Sequence, residues 1–153
     1  MSNKKNYYYP KKFFFEKENL HRKEFFKEDV KNIVFNECDL RGAFFIQSKF
    51  ENCEFNNCSL ITLLIEDCVF INCSFNNCRA FCMRLLDVQF VNCKLHDVNV
   101  RLSSFNSVSI NNCVMGCLNL DEEVIFIAVT YNQNVIWPEN FSPEAHGLIL
   151  KEL

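Results

Sequence analysis

FENCEFNNCSLITLLIEDCVFINCSFNNC, residues 50–78, carries a large apolar side chain at every fifth position: Phe50, Phe55, Leu60, Ile65, Phe70 and Phe75. Two places before the large positions sits a second series, Cys53, Cys58, Leu63, Cys68, Cys73 and Cys78. The beat extends backwards through Phe45, Leu40 and Phe35 to Ile33. Forwards it runs through Ala80, Leu85, Phe90, Leu95, Val100, Phe105, Ile110, Met115, Leu120 and Ile125, to about Ala128, with Cys93, Cys113 and Leu118 among the smaller partners. A period of five fits neither a straight strand nor a helix.

In a straight strand, side chains alternate every two residues, so successive large residues would fall on opposite faces. A bend after each segment of five removes that conflict. Four short extended segments then close a rectangular turn with both residue series pointing inward. Turns stacked in parallel about 4.8 Å apart make a rod of about 24 Å from five turns. A single turn has no core; stacking creates one. The stacking predicts columns: Phe35, Phe55 and Phe75 above one another with Leu95 and Met115; Cys53, Cys73, Cys93 and Cys113; and Cys38, Cys58 and Cys78. Phe70, Phe90 and Phe105 complete the expected structural core. Outside it, Asn52, Asn72, Asn92, Asn112 and Asn132 form one expected ladder and Asn36, Asn56 and Asn76, beside Asn57 and Asn77, another.

The chain of 153 residues suits one domain, divided here into an arm and cap (1–32), the repeat (33–130) and a C-terminal cap (131–153). Residues 15–32 can keep the beat through Phe15, Leu20, Phe25 and Val30, but the partner positions are then Phe13 and the charged Glu18, Lys23 and Glu28. Burying unpaired charges costs several kcal/mol. Either a distorted first turn lets those charges reach solvent, or a short helix over residues 16–29 caps the rod. Residues 1–14, polar and aromatic, suggest a mobile arm. At the other end Trp137, Pro138 and Phe141 are expected to plug the last turn, with a short helix starting near Pro143.

FNECDL, FENCEFNNCSL and VFINCSFNNC resemble pentapeptide-repeat proteins, whose five-residue unit centres on Leu or Phe with a small residue two places earlier. TYNQNVIWPENFSPEAHG resembles the ending of many members. The resemblance implies an all-β fold, a right-handed quadrilateral parallel β-helix of about five coils with short terminal caps.

Ten cysteines invite a zinc or disulfide reading, which their spacing opposes. Eight fill the small slot, where a free thiol acts as a compact hydrophobe, and parallel in-register neighbours are wrongly oriented for a disulfide. No metal, cofactor or catalytic residue is expected. His21, His96 and His146 lie in three regions, the thiols outside the small slot are Cys82 and Cys117, and three glycines cannot build a phosphate-cradling loop. The formal charge of -3 does not point to nucleic acid, and no apolar run is long enough for a membrane span. A cytoplasmic, non-enzymatic protein that binds no small molecule is the resulting expectation.

Function must then lie in outward positions. Phe44, Ile46, Ile61, Leu64, Phe81 and Leu86 form an expected apolar surface, joined by Phe126. It would face an unidentified protein partner or a second copy, or be covered by the N-terminal arm. Ala80 is the one weak central position, so either the core narrows there or Phe81 partly enters it. Some family members imitate DNA and bind type II topoisomerases such as gyrase, which implies an alternative surface at Glu66, Asp67 and Asp87. That stripe is broken by Gln47 and Ser107 in the same column.

Overall fold

The computed structural model describes residues 13–121 and 123–152. One backbone conformation converts the five-residue beat into a coil. Lys17, Arg22, Lys27 and Asn32 all have φ between 53° and 60°, and the same four offsets recur in every later coil as far as Asn112. This left-handed region costs an ordinary L-residue about 1–2 kcal/mol, and is visited most readily by Gly, Asn and Asp. Eleven of the twenty corners from Lys17 to Asn112 are of those three types. The asparagine columns thus answer first to the backbone. Ladders also form, with Asn52 Nδ2 donating to Asn32 Oδ1 at 3.2 Å, Asn76 to Asn56 at 2.8 Å and Asn77 to Asn57 at 2.7 Å.

Between the corners lie four sides, taken in chain order. Side one is a six-stranded parallel sheet of Phe14–Glu16, Val34–Asn36, Glu54–Asn56, Ser74–Asn76, Lys94–Asn99 and Val114–Leu118. Side two is a row of parallel bridges through Asn19, Asp39, Ser59, Arg79 and Asn99. Sides three and four share one sheet, in which Leu64–Ile71, Arg84–Val91 and Ser104–Asn111 each bend around a corner. Pairings advance by twenty residues: Phe15 opposite Phe35, Phe35 opposite Phe55, Phe45 opposite Ile65.

The core is a set of side-chain stacks. Phe15, Phe35, Phe55 and Phe75 stack with centroids 5.1, 4.8 and 4.7 Å apart, and Phe50, Phe70 and Phe90 at 4.8 and 5.2 Å. Each such pair contributes about 0.5–1.5 kcal/mol beyond the area it buries. Phe105 is buried with them. The small slot does more than fill space. Cys58 Sγ donates to the Phe35 carbonyl at 3.3 Å, Cys78 to Phe55 at 3.3 Å, and Cys53, Cys73 and Cys93 repeat the contact. Ser48 and Ser103 make it with hydroxyls, to Phe25 and Ala80.

Two boundaries differ from the sequence reading. The coil begins at Phe14 rather than at Ile33, so of the two expectations for residues 15–32 the structure has the first turn and not the capping helix. Phe15, Leu20, Phe25 and Val30 are buried, while Glu18, Lys23 and Glu28 remain partly exposed at the partner positions. Long charged side chains can bury their stems and leave their heads in water, which is why the beat tolerates them. The six strands of side one accordingly replace the expected five coils. The arm expected over residues 1–14 lies, up to Lys12, outside the described residues.

The second difference follows Gly116. His96 pairs with Gly116 but Val98 pairs with Cys117, so the corner residue Asp97 has no counterpart. A Cβ at Gly116 would lie 2.4 Å from the Leu95 carbonyl oxygen, a close approach only glycine permits. Two extra residues follow in the next loop, and Phe105 then pairs with Phe126. Beyond this point Leu120 keeps its expected buried place but the frame read from the sequence otherwise shifts: Leu118 and Ile125 are exposed, while Cys117 is buried and Phe126 stacks on Phe105 at 5.3 Å. Of the two possibilities at the weak central position the core narrows: Ala80 is buried and Phe81 stays outside, half-buried. A cavity of about 20 Å³ remains among Leu60, Ile65, Phe75, Met83, Phe90, Leu95 and Val98.

The tail docks on its own rod. Trp137 packs against Tyr131 and Phe141, and Pro143 caps a short 3-10 helix, Glu144–His146. Tyr131 donates a short hydrogen bond to Glu144, and Ile149–Leu150 pairs with Thr130–Tyr131, covering that sheet edge. Among the described residues no helix is long and apolar enough to cross a membrane.

Gly116→Ala should destabilise by about 1–3 kcal/mol, because its Cβ meets backbone rather than a movable side chain. Gly42→Ala, whose Cβ would lie 3.6 Å from Arg22 Cγ at a φ of +65°, should cost only about 1 kcal/mol from the left-handed backbone. Urea denaturation of the two variants checks the order; equal losses would contradict the close approach at residue 116.

Candidate interaction surface

The stacking rule that fills the interior also sorts the exterior into columns. Phe44 and Leu64 are opposite one another on side three, with Glu24 before them and Arg84 after. In the neighbouring column Ile46 is followed by Glu66 and then Leu86. Ile61 and Phe81 occupy successive levels at the adjoining corner, where the Thr62 amide donates to the Phe81 carbonyl at 3.0 Å. Phe44, Ile46 and Leu64 are thus neighbours on side three, with Ile61 and Phe81 across the corner; Phe44 is exposed and the others are half-buried. Leu86 is separated from Ile46 by the Glu66 carboxylate. Phe126 belongs to the core stack and not to this surface.

The corner beside this surface is unusual. Its left-handed residues are Arg22, Gly42, Thr62, Cys82 and Leu102, so only one of five is Gly, Asn or Asp. The other three corner columns have five, three and two of five. Thr62, β-branched at φ 59°, is a costly occupant of that region.

The alternative acidic surface is short. Asp67 and Asp87 are neighbours in one corner column whose members above and below are Gln47 and Ser107. Glu66 sits beside them on side three. An open groove on side two is lined by Glu37, Asp39, Arg41, Asn57, Ser59, Ile61 and Arg79. Within it Arg41 Nε and Nη2 donate to the Asp39 carboxylate at 2.9 and 2.8 Å, holding that carboxyl below the usual range. The Ser59 hydroxyl has no protein partner among the described residues.

The side chains considered for chemistry are dispersed. His96 lies 3.3 Å from Asp97 on an exposed corner, His146 stacks on Phe141 at 4.5 Å in the cap, and His21 sits in the first coil. Among the described residues no three His, Cys, Asp or Glu side chains are grouped around a metal-sized site. Cys82 is exposed, as its position outside the small slot implied, whereas Cys117 is buried by the shift after Gly116. Burial pushes the Cys117 thiol up to about 12 and the Cys68 thiol up to about 11.

One feature of the surface went unnoticed in the sequence. Arg22, Arg41, Arg79, Arg84 and Arg101 all belong to side two and the corner and strand that follow it. Writing the chain in rows of twenty brings them together.

Residues 31–61 match the family model described as pentapeptide repeats, eight copies long. No curated protein matches the chain. Several solved structures are similar. Rfr23, a pentapeptide repeat protein from the cyanobacterium Cyanothece 51142, is 10% identical, over 75% of this chain and 91% of its own, with a TM-score of 0.43. Trypsin-treated QnrB1, a plasmid-mediated fluoroquinolone resistance protein, is 18% identical, over 90% and 76%, with a TM-score of 0.44. A pentapeptide repeat protein from Nostoc Pcc 7120 is 13% identical, over 88% and 86%, with a TM-score of 0.41.

The thiols provide a direct check on this layout. In the folded protein a thiol reagent at pH 7 should label Cys82 quickly and the other nine only after denaturation. A thiol whose pKa is raised by folding stabilises the native state fully below its unfolded value near 8.5, and loses that contribution as pH rises towards its folded value. Stability should therefore fall between about pH 8.5 and about 11 for Cys68. Rapid native labelling of several thiols, or stability that rises across that window, would contradict the packing.

Proposed function

We propose that this chain, a pentapeptide-repeat protein, is a non-enzymatic rod that holds a protein partner on side three and the corner before it. The observation that carries this reading is the outward pair Phe44 and Leu64 on side three, with Ile61 and Phe81 at successive levels across the preceding corner. Phe44 remains 38% exposed on a flat, paired sheet, where nothing in the fold requires a phenylalanine. A patch of this kind marks contact sites more often than chance exposure. The adjoining corner supports the reading, since Thr62, Cys82 and Leu102 occupy a conformation that Asn or Gly would hold at lower cost. The rigidity of stacked coils keeps such a surface preorganised, so binding costs little conformational entropy. Ten unbridged thiols suit a reducing compartment such as the cytoplasm.

Phe44→Asp/Leu64→Asp should leave thermal melting within a few degrees of wild type, because both residues face outward on paired strands. It should deplete captured partners from a host lysate by about tenfold or more, as expected from loss of central apolar anchors. Asp67→Ala/Asp87→Ala should capture the wild-type set. Identical capture by wild type and the apolar double variant would remove this reading, and selective loss with the acidic variant would favour the opposite corner.

A further inference from the structure

All five arginines fall within six of the twenty positions of each coil, from the middle of side two to the first outward residue of side three. Every one is exposed. Backbone ladders set them at successive levels: the Arg22 amide donates to the Arg41 carbonyl at 3.1 Å, and the Cys82 amide to the Arg101 carbonyl at 3.1 Å. Arg79 is bridged to Ser59, and Arg84 is opposite Leu64. Arg41 is neutralised by Asp39. Among the described residues, Arg22, Arg79 and Arg84 have no carboxylate oxygen within 4.0 Å. Arg79 flanks the Ile61 and Phe81 ridge on one side and Arg84 flanks it on the other. Across side three, Glu66, Asp67 and Asp87 line the far edge, so the apolar surface has a cationic flank and an anionic one.

We infer that this surface takes an acidic amphipathic helix of a partner protein, laid along the rod with its carboxylates on the arginine flank. The inference rests on the interaction-rod reading and specifies its partner. A helix repeats its apolar stripe about every 5.4 Å, close to the rung spacing of about 4.8 Å. Two or three turns can therefore seat one apolar anchor per rung over Phe44, Leu64, Ile61 and Phe81. A partner strand has no such seat, because the backbone groups of side three are already paired between coils. Guanidinium groups bind carboxylates in a two-pronged geometry and stack on aromatic rings, which suits a column where Arg41 and Arg101 bracket Ile61 and Phe81. Nucleic acid fits less well, since apolar side chains separate the arginines.

The test uses two labelled synthetic peptides of about fourteen residues, about four helical turns, sharing one leucine stripe, with the polar positions on one side of the stripe Glu in one and Lys in the other and the remaining polar positions Gln in both. Fluorescence anisotropy against the whole protein should show the Glu peptide binding at least about tenfold more tightly, and more weakly as salt rises. The same peptide should slow reagent labelling of Cys82, which lies within the strip. Arg79→Glu/Arg84→Glu should reverse the preference and Arg79→Gln/Arg84→Gln should abolish it, with melting confirming that both variants fold. Equal or reversed preference in wild type, no binding of the Glu peptide, or a preference that survives both variants overturns the inference. Tighter binding of a duplex DNA of about 20 base pairs also overturns it, in favour of phosphate. If both peptides bind equally and both are lost in Phe44→Asp/Leu64→Asp, the acidic partner is excluded while the apolar-face reading stands.

Discussion

Parallel, in-register stacking of one coil on the next is the constraint from which the rest of this structure follows. A coil encloses nothing until its neighbour lies on it. Once stacked, like residues meet like: phenylalanine on phenylalanine at about 5 Å, thiol beneath carbonyl, asparagine on asparagine. Every position then has the same environment one coil later. A residue favourable at one level is favourable at the next, which accounts for the repetition in the sequence.

That regularity made most of the fold legible. The large and small series located the interior of the coils from Phe35 to Met115, because two inward residues per side leave no other register. The reading failed where the chain broke its own rule. Before Ile33 the partner positions carry charges, which left a first turn and a capping helix both open, and Phe15 and Phe25 are as buried as Phe55. After Gly116 the loss of one corner residue and the gain of two others moved the frame. The glycine was visible, but the backbone contact that makes it necessary was not. The role of cysteine was half visible: size favoured it in the small slot, whereas its donation to a carbonyl in the coil before needed coordinates.

The exterior obeys the same column rule with less uniformity, and its departures carry information. The corner column from Asn32 to Asn112 follows the left-handed backbone at every level, two others follow it in part, and the fourth follows it least. That fourth corner is bordered by Ile61, Phe81, Phe44 and Leu64 and carries the arginines. The apolar residues were readable from their outward register. The arginine strip was not, because its members are twenty or more residues apart or lie on different sides of a bend, and only the coil brings them onto one strip. Interior packing and exterior display are separable here. Inward positions specify the rod, and outward ones can vary without disturbing it.

Removal of residues 54–73 tests the stacking account most directly. Excision of this twenty-residue coil brings Phe75 onto Phe35 and Asn77 onto Glu37 without changing the side on which any later residue lies. The shortened protein should retain its β-sheet circular dichroism and a single cooperative melt, at a lower midpoint because one coil of stacked core is gone. Excision of residues 54–71 removes almost as much but shifts every later side chain out of its column, and should abolish cooperative melting. If the two deletions behave alike, in-register stacking is not what holds this protein together.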